Sequence, residues 1–137
     1  MQEKRIVIVD DDPDVLATSK VTLESAGYQV STASERAEGL KMIRSIHPDL
    51  IVLDVMMDNW QDGFTMAREL REDQEFARLP IIIMSAVKDK TGVDFKSAAG
   101  DPTWLPVQVF LDKPVEPTLL LNEVTRLLAE AENKNVS

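Results

Sequence analysis

Three aspartates in a row interrupt the segment "IVIVDDDPDV", Ile6 to Val15. Adjacent like charges repel, so a fold that keeps Asp10, Asp11 and Asp12 together needs positive charge opposite them. A further acid, Asp54, stands in "LIVLDVMM", Ser85 follows "IIIM", and Lys113 follows "VFLD". Carboxylates without Cys or His partners suit a hard divalent cation, and Mg²⁺ is the first choice. Mg²⁺ takes oxygen ligands, keeps several waters and commonly pairs with a phosphate. A hydroxyl and an ammonium group can bind that phosphate's remaining oxygens. These residues therefore point to Mg²⁺-assisted phosphate chemistry. Asp10, Asp11 and Asp54 are the candidate metal ligands, with Ser85 and Lys113 facing the phosphate.

Simpler roles account for the neighbours. Asp12 before Pro13 reads as a helix N-cap. Asp14 favours the positive end of the helix dipole. His47, the one histidine, stands beside Pro48 and reads as a loop residue. Met56 and Met57 read as packing residues. Other acidic motifs fit badly. Asp10, Asp12 and Asp14 begin an EF-hand spacing, but Val15 and Val21 occupy the positions that require Gly and Glu. No glycine-rich turn follows the first apolar run, which excludes a dinucleotide fingerprint and a P-loop. A phosphatase with an aspartate nucleophile and a second acid two residues on would need Asp at Met56.

Each candidate residue lies at the end of an apolar run, and these runs must bring them together. Ile6–Val9, Tyr28–Thr32, Leu50–Leu53, Ile81–Met84 and Val107–Leu111 read as strands. Amphipathic segments alternate with them. The first helix runs from Pro13 to Ala26, with Gly27 as its stop. Ser34 caps a second, carrying Ala37, Leu40 and Ile43, which His47-Pro48 ends. A third runs from about Gly63 to Glu72. A last helix starts near Glu116-Pro117 with Leu120, Val124, Leu127, Leu128 and Ala131 on one stripe. This alternation calls for an α/β fold, a parallel sheet with helices on both faces and right-handed crossovers. Residues just past parallel strands gather at one edge, where such folds bind ligands.

The composition is compatible with that plan. The 137 residues suggest one domain over 1–132, followed by a polar tail, 133–137, expected to fray. A formal net charge of −9 argues against direct contact with nucleic acid. No apolar stretch approaches a membrane span, and the N-terminus lacks a signal peptide's apolar core. With no cysteine there is no disulfide framework, and a cytoplasmic protein is the simplest expectation.

In this order and spacing, "VIVDDDPDV", "PDLIVLDVMM", "IIIMSA" and "FLDKPV" resemble the receiver domain of two-component response regulators, of the stand-alone, single-domain type. The resemblance covers nearly the whole chain. It implies a flavodoxin-like, five-stranded parallel sheet of order 2-1-3-4-5. It implies that Asp54 is the phosphoacceptor, that Asp11 binds Mg²⁺ directly and that Asp10 does so largely through water. The Met56 carbonyl would supply another ligand. Ser85 would bond the phosphoryl group, Lys113 would pair with it, and Lys113-Pro114 matches a cis peptide. Phe110 matches the aromatic switch position. The implied partners are a sensor histidine kinase or phosphotransfer protein, and a downstream protein target. Two other classes remain open: a receiver-like interaction module that takes no phosphate, and a Mg²⁺-dependent phosphatase.

The chain also departs from the family pattern. In "VMMDNWQDGF", Asp58 stands where the family usually has proline, and the loop is one residue longer before Asp62-Gly63. The path from Ser85 to Lys113 is several residues longer than usual, and the helix within it is expected to be short or displaced. It contains "DPTWLP", with Trp104 and Leu105 between two prolines. These two side chains either cover the core edge or anchor a partner or a second copy, and they are the candidate output surface.

Overall fold

Ile6 to Val9 are at most 1% exposed, because β-branched residues on a central strand meet packed layers on both faces. The computed structural model describes residues 4–54, 68–76, 79–85, 109–112 and 115–136. The strands are β1 (Arg5–Val9), β2 (Gln29–Ala33), β3 (Leu50–Asp54), β4 (Ile81–Ser85) and β5 (Val109–Asp112). All pair in parallel, in the order β2-β1-β3-β4-β5. The helices are α1 (Pro13–Ser25), α2 (Arg36–Ile46) and α3 (Pro117–Val136). Residues 68–72 are also helical and lead into a 3-10 turn, Gln74–Phe76.

Strand alternation divides the core into two layers. Val7, Val9, Ile51, Leu53, Ile81 and Ile83 pack with Ile43 of α2 and Phe76. Ile6, Ile8, Val52, Ile82 and Met84 pack with Leu23 of α1 and with α3. The stripe expected on the last helix faces this second layer: Leu120, Val124, Leu127 and Leu128 are all buried. By contrast, α1 buries only Ser19 and Leu23. Thr18, Ser19 and Thr22 are too short to fill the seam toward α3, which leaves a groove of about 450 Å³ lined also by Val15, Met84 and Leu120.

Gly27 ends α1 as expected. It sits at φ 100°, in the region that favours glycine. Its N–H donates to the Glu24 carbonyl at 3.0 Å, and Tyr28 N–H to the Leu23 carbonyl at 3.2 Å, a Schellman closure. A Cβ at Gly27 would meet nothing within 4 Å, so substitution is penalised through the backbone alone. Gly27→Ala is therefore expected to lower unfolding stability by about 1–2 kcal/mol in urea titrations.

Two sequence expectations are corrected. The N-cap of α2 is Glu35, with no side-chain cap bond, rather than Ser34. The helix opens at Arg36, which leaves the Ser34 hydroxyl one residue too early to serve as the cap. β2 is displaced by one residue, to Gln29–Ala33. α3 extends through residues 133–136, and no glycine or proline interrupts the chain between Thr118 and Val136. β3 and β4 end in Asp54 and Ser85, as expected. Most of the expected third helix, the expected fourth helix and the start of the expected fifth strand lie outside the described residues.

Candidate functional site

β1 ends at Val9, and the chain must then turn from the sheet into α1. Asp10 extends the ladder by one bond, its N–H donating to the Ala33 carbonyl at 3.0 Å. Its carboxylate is fully buried. A buried carboxylate needs hydrogen bonds or positive charge in place of water. One such bond comes from the Asp12 backbone N–H, 2.9 Å from Asp10 Oδ1. Asp12 in turn caps α1: its Oδ1 accepts from Asp14 N–H at 2.9 Å and Val15 N–H at 3.4 Å. Asp11 and Asp12 are exposed. The three adjacent aspartates thus separate into one buried carboxylate, one open to solvent and one committed to the helix. The sequence supported the cap; the backbone bond from Asp12 to Asp10 carried no sequence signal.

The strand register gathers the remaining residues. Val9 pairs with Leu53, so Asp10 and Asp54 each follow a paired residue on neighbouring strands. Asp54 pairs with Met84, which puts Ser85 one residue further along β4. Ser85 pairs with Asp112, the residue before Lys113 in the sequence. Phe110 pairs with Ile83, within the sheet and one step below this edge. Met56, Lys113, Trp104 and Leu105 lie outside the described residues, as does the Lys113-Pro114 bond.

The oxygen donors fit a hard cation such as Mg²⁺. They contain no sulfur or imidazole, and they stand at the carboxyl ends of parallel strands. Asp10 and Asp11 supply two carboxylates, and Asp54 enters through its place in β3. Among the described residues no group of three His, Cys, Asp or Glu forms a metal cluster. The groove between α1 and α3 opens beside this edge, with Asp12 and Asp14 in its lining.

His47 stands at the opposite edge. It is the C-cap of α2 at φ 55°, its Nδ1 is 2.6 Å from Glu75 Oε1, and its ring stacks on Phe76 at 6.0 Å. Its role is thus to close a helix, away from the acidic cluster. Arg71 also serves this end, donating from Nη1 to the Phe76 carbonyl at 3.1 Å, and burial lowers its pKa. A tie that sequence reading missed joins Arg36, the first residue of α2, to Glu69. It pins the helical stretch 68–72 against α2, and no local pattern announces a pair 33 residues apart.

Residues 6–125 match the response regulator receiver domain family. The chain belongs to that family. It is 35% identical over 127 residues to the DNA-binding dual master transcriptional regulator RpaA of Synechocystis sp., covering 90% of this chain and 48% of RpaA. The chain spans about half the length of that relative. It is 30% identical to Protein PilH of Pseudomonas aeruginosa, covering 91% of this chain and 98% of PilH. A CheY-like response regulator receiver domain protein from Methanospirillum hungatei shares the fold with a TM-score of 0.80 at 26% identity. That match covers 97% of this chain and 99% of the other. Receiver domains are signalling phosphoacceptor domains, generally Mg²⁺-using, that interact with histidine kinases or phosphotransfer proteins and with downstream targets. Membership thus bears out the expected fold and the phosphoacceptor signalling role. Among the described residues no helix is long and apolar enough to cross a membrane.

Proposed function

We propose that this receiver accepts a phosphoryl group on Asp54, from a phosphohistidine of a sensor kinase or phosphotransfer protein. The observation that carries this reading is the register that brings Asp10, Asp54 and Ser85 to one edge, with Asp112 leading into Lys113. A carboxylate oxygen of Asp54 forms the new bond to phosphorus as the phosphorus–nitrogen bond of the donor breaks. The departing electron pair stays on the imidazole nitrogen. Asp10, Asp11, Asp54 and the Met56 carbonyl would hold Mg²⁺, which when bound neutralises charge on the phosphoryl oxygens. The Lys113 ammonium offsets charge on the same group, and the Ser85 hydroxyl donates a hydrogen bond to it. Drawing Ser85 toward the phosphoryl group frees space for Phe110, so two states of the surface differ. Trp104 and Leu105 lie in the sequence between Ser85 and Phe110. They are the residues through which a downstream protein or a second copy would read that change.

Intact-mass measurement after treatment with acetyl phosphate and Mg²⁺ tests this reading. The expected result is one added phosphoryl group per chain, none without the metal, and no catalytic turnover of a generic phosphate ester. A chain that gains no mass would be an interaction module of the same fold. Sustained turnover would make it a phosphatase.

A further inference from the structure

We propose that Asp12 is a positioning residue for the metal-binding edge and not only the cap of α1; this rests on the functional reading above. Asp10 is fully buried at the end of β1, so its carboxylate geometry is set by what surrounds it. One of its oxygens is held by the Asp12 backbone N–H at 2.9 Å. That N–H is not free to turn. The Asp12 side chain is tied to Asp14 and Val15 N–H groups, and its carbonyl accepts from Leu16 N–H at 3.1 Å. At φ −90° and ψ 110°, the residue is fixed between extended strand and helix. The cap therefore clamps a peptide unit whose other function is to orient a carboxylate.

Asp12 thus joins the folding of α1 to the preorganisation of the ligand set. Groups that orient metal ligands affect metal affinity without touching the metal. Losing the side-chain oxygen would release the first turn of α1, loosen the N–H of residue 12, and let Asp10 leave the orientation seen here. The negative charge of Asp12 is not the active feature, since an uncharged oxygen caps equally well.

The test is Mg²⁺ titration of the full chain by calorimetry, on Asp12→Ala and Asp12→Asn beside the unaltered protein. Asp12→Ala is expected to weaken Mg²⁺ binding roughly tenfold. Amide hydrogen exchange at residue 12 should become faster in the same variant. Asp12→Asn keeps an acceptor oxygen and is expected to restore affinity to within about twofold of the unaltered chain. A cap that merely stabilised α1 would lower the melting temperature and leave the metal affinity unmoved, because the folded fraction stays close to one. Unchanged affinity in Asp12→Ala therefore overturns the proposal. Equal losses in the Ala and Asn variants also overturn it, since charge rather than capping would then be responsible. No Mg²⁺ binding by the unaltered chain overturns the functional reading, and this inference with it.

Discussion

Asp54→Asn is expected to take up no phosphoryl group from acetyl phosphate under conditions that label the unaltered chain. The amide has no anionic oxygen to attack phosphorus, and its nitrogen lone pair is delocalised into the carbonyl. The same change removes a negative charge from the proposed Mg²⁺ ligands, so metal affinity should fall as well. Folding should survive, because the pairing of Asp54 with Met84 is made by backbone groups that both residues retain. Intact mass reads the chemistry, and circular dichroism with thermal unfolding reads the fold. Asp11→Ala separates the two roles: it leaves the acceptor in place and should still abolish labelling at Mg²⁺ concentrations that saturate the unaltered chain. A folded Asp54→Asn chain that still gains one phosphoryl mass would place the acceptor elsewhere.

The residues that announced the fold were those whose pattern is local. Ile6–Val9 and Ile81–Met84 are continuous apolar runs, and a run of that length in a small α/β domain has little choice but a central parallel strand. Gly27 and Pro13 marked the ends of α1 because proline fixes φ at a helical value and glycine enters the positive-φ region at little cost. The acidic edge was legible for a related reason. Once the strands are parallel, whatever closes each apolar run must share an edge, and Asp10, Asp54 and Ser85 needed no further information.

Long-range features were hidden. The clamp from Asp12 to Asp10 is a backbone bond that most residues at position 12 can supply, so residue identity does not reveal it. The ion pair between Arg36 and Glu69 depends on where α2 lies against the stretch 68–72. The start of α2 was misread because serine is a good cap wherever it occurs, and Ser34 stands one residue before the position the helix uses. Polar residues without glycine or proline continue a helix readily when its preceding turns are anchored by Leu120, Val124, Leu127 and Leu128.

Once formed, the phosphorylated chain is expected to hydrolyse slowly. Loss of phosphate requires a water held in line with the phosphorus, and a side chain that orients that water or takes its proton accelerates the step by about a hundredfold or more. The positions that approach this path in the receiver family match Met56 and Val87, each two residues beyond Asp54 and Ser85. A thioether and an isopropyl group offer no strong hydrogen bond with which to orient that water. Met56→Asn supplies a donor and an acceptor at that position. It should shorten the lifetime about tenfold while leaving the initial labelling rate within about twofold. The measurement is decay of the phosphorylated mass after removal of the phosphodonor. The sequence "VMMDNWQDGF" contains one competing group, Asp58, where the family usually has proline. If the unaltered chain loses its phosphate quickly and Asp58→Ala prolongs it, Asp58 is the group that orients the water. Equal, long lifetimes in the Met56→Asn and unaltered chains would instead show that position 56 does not govern access to the phosphorus.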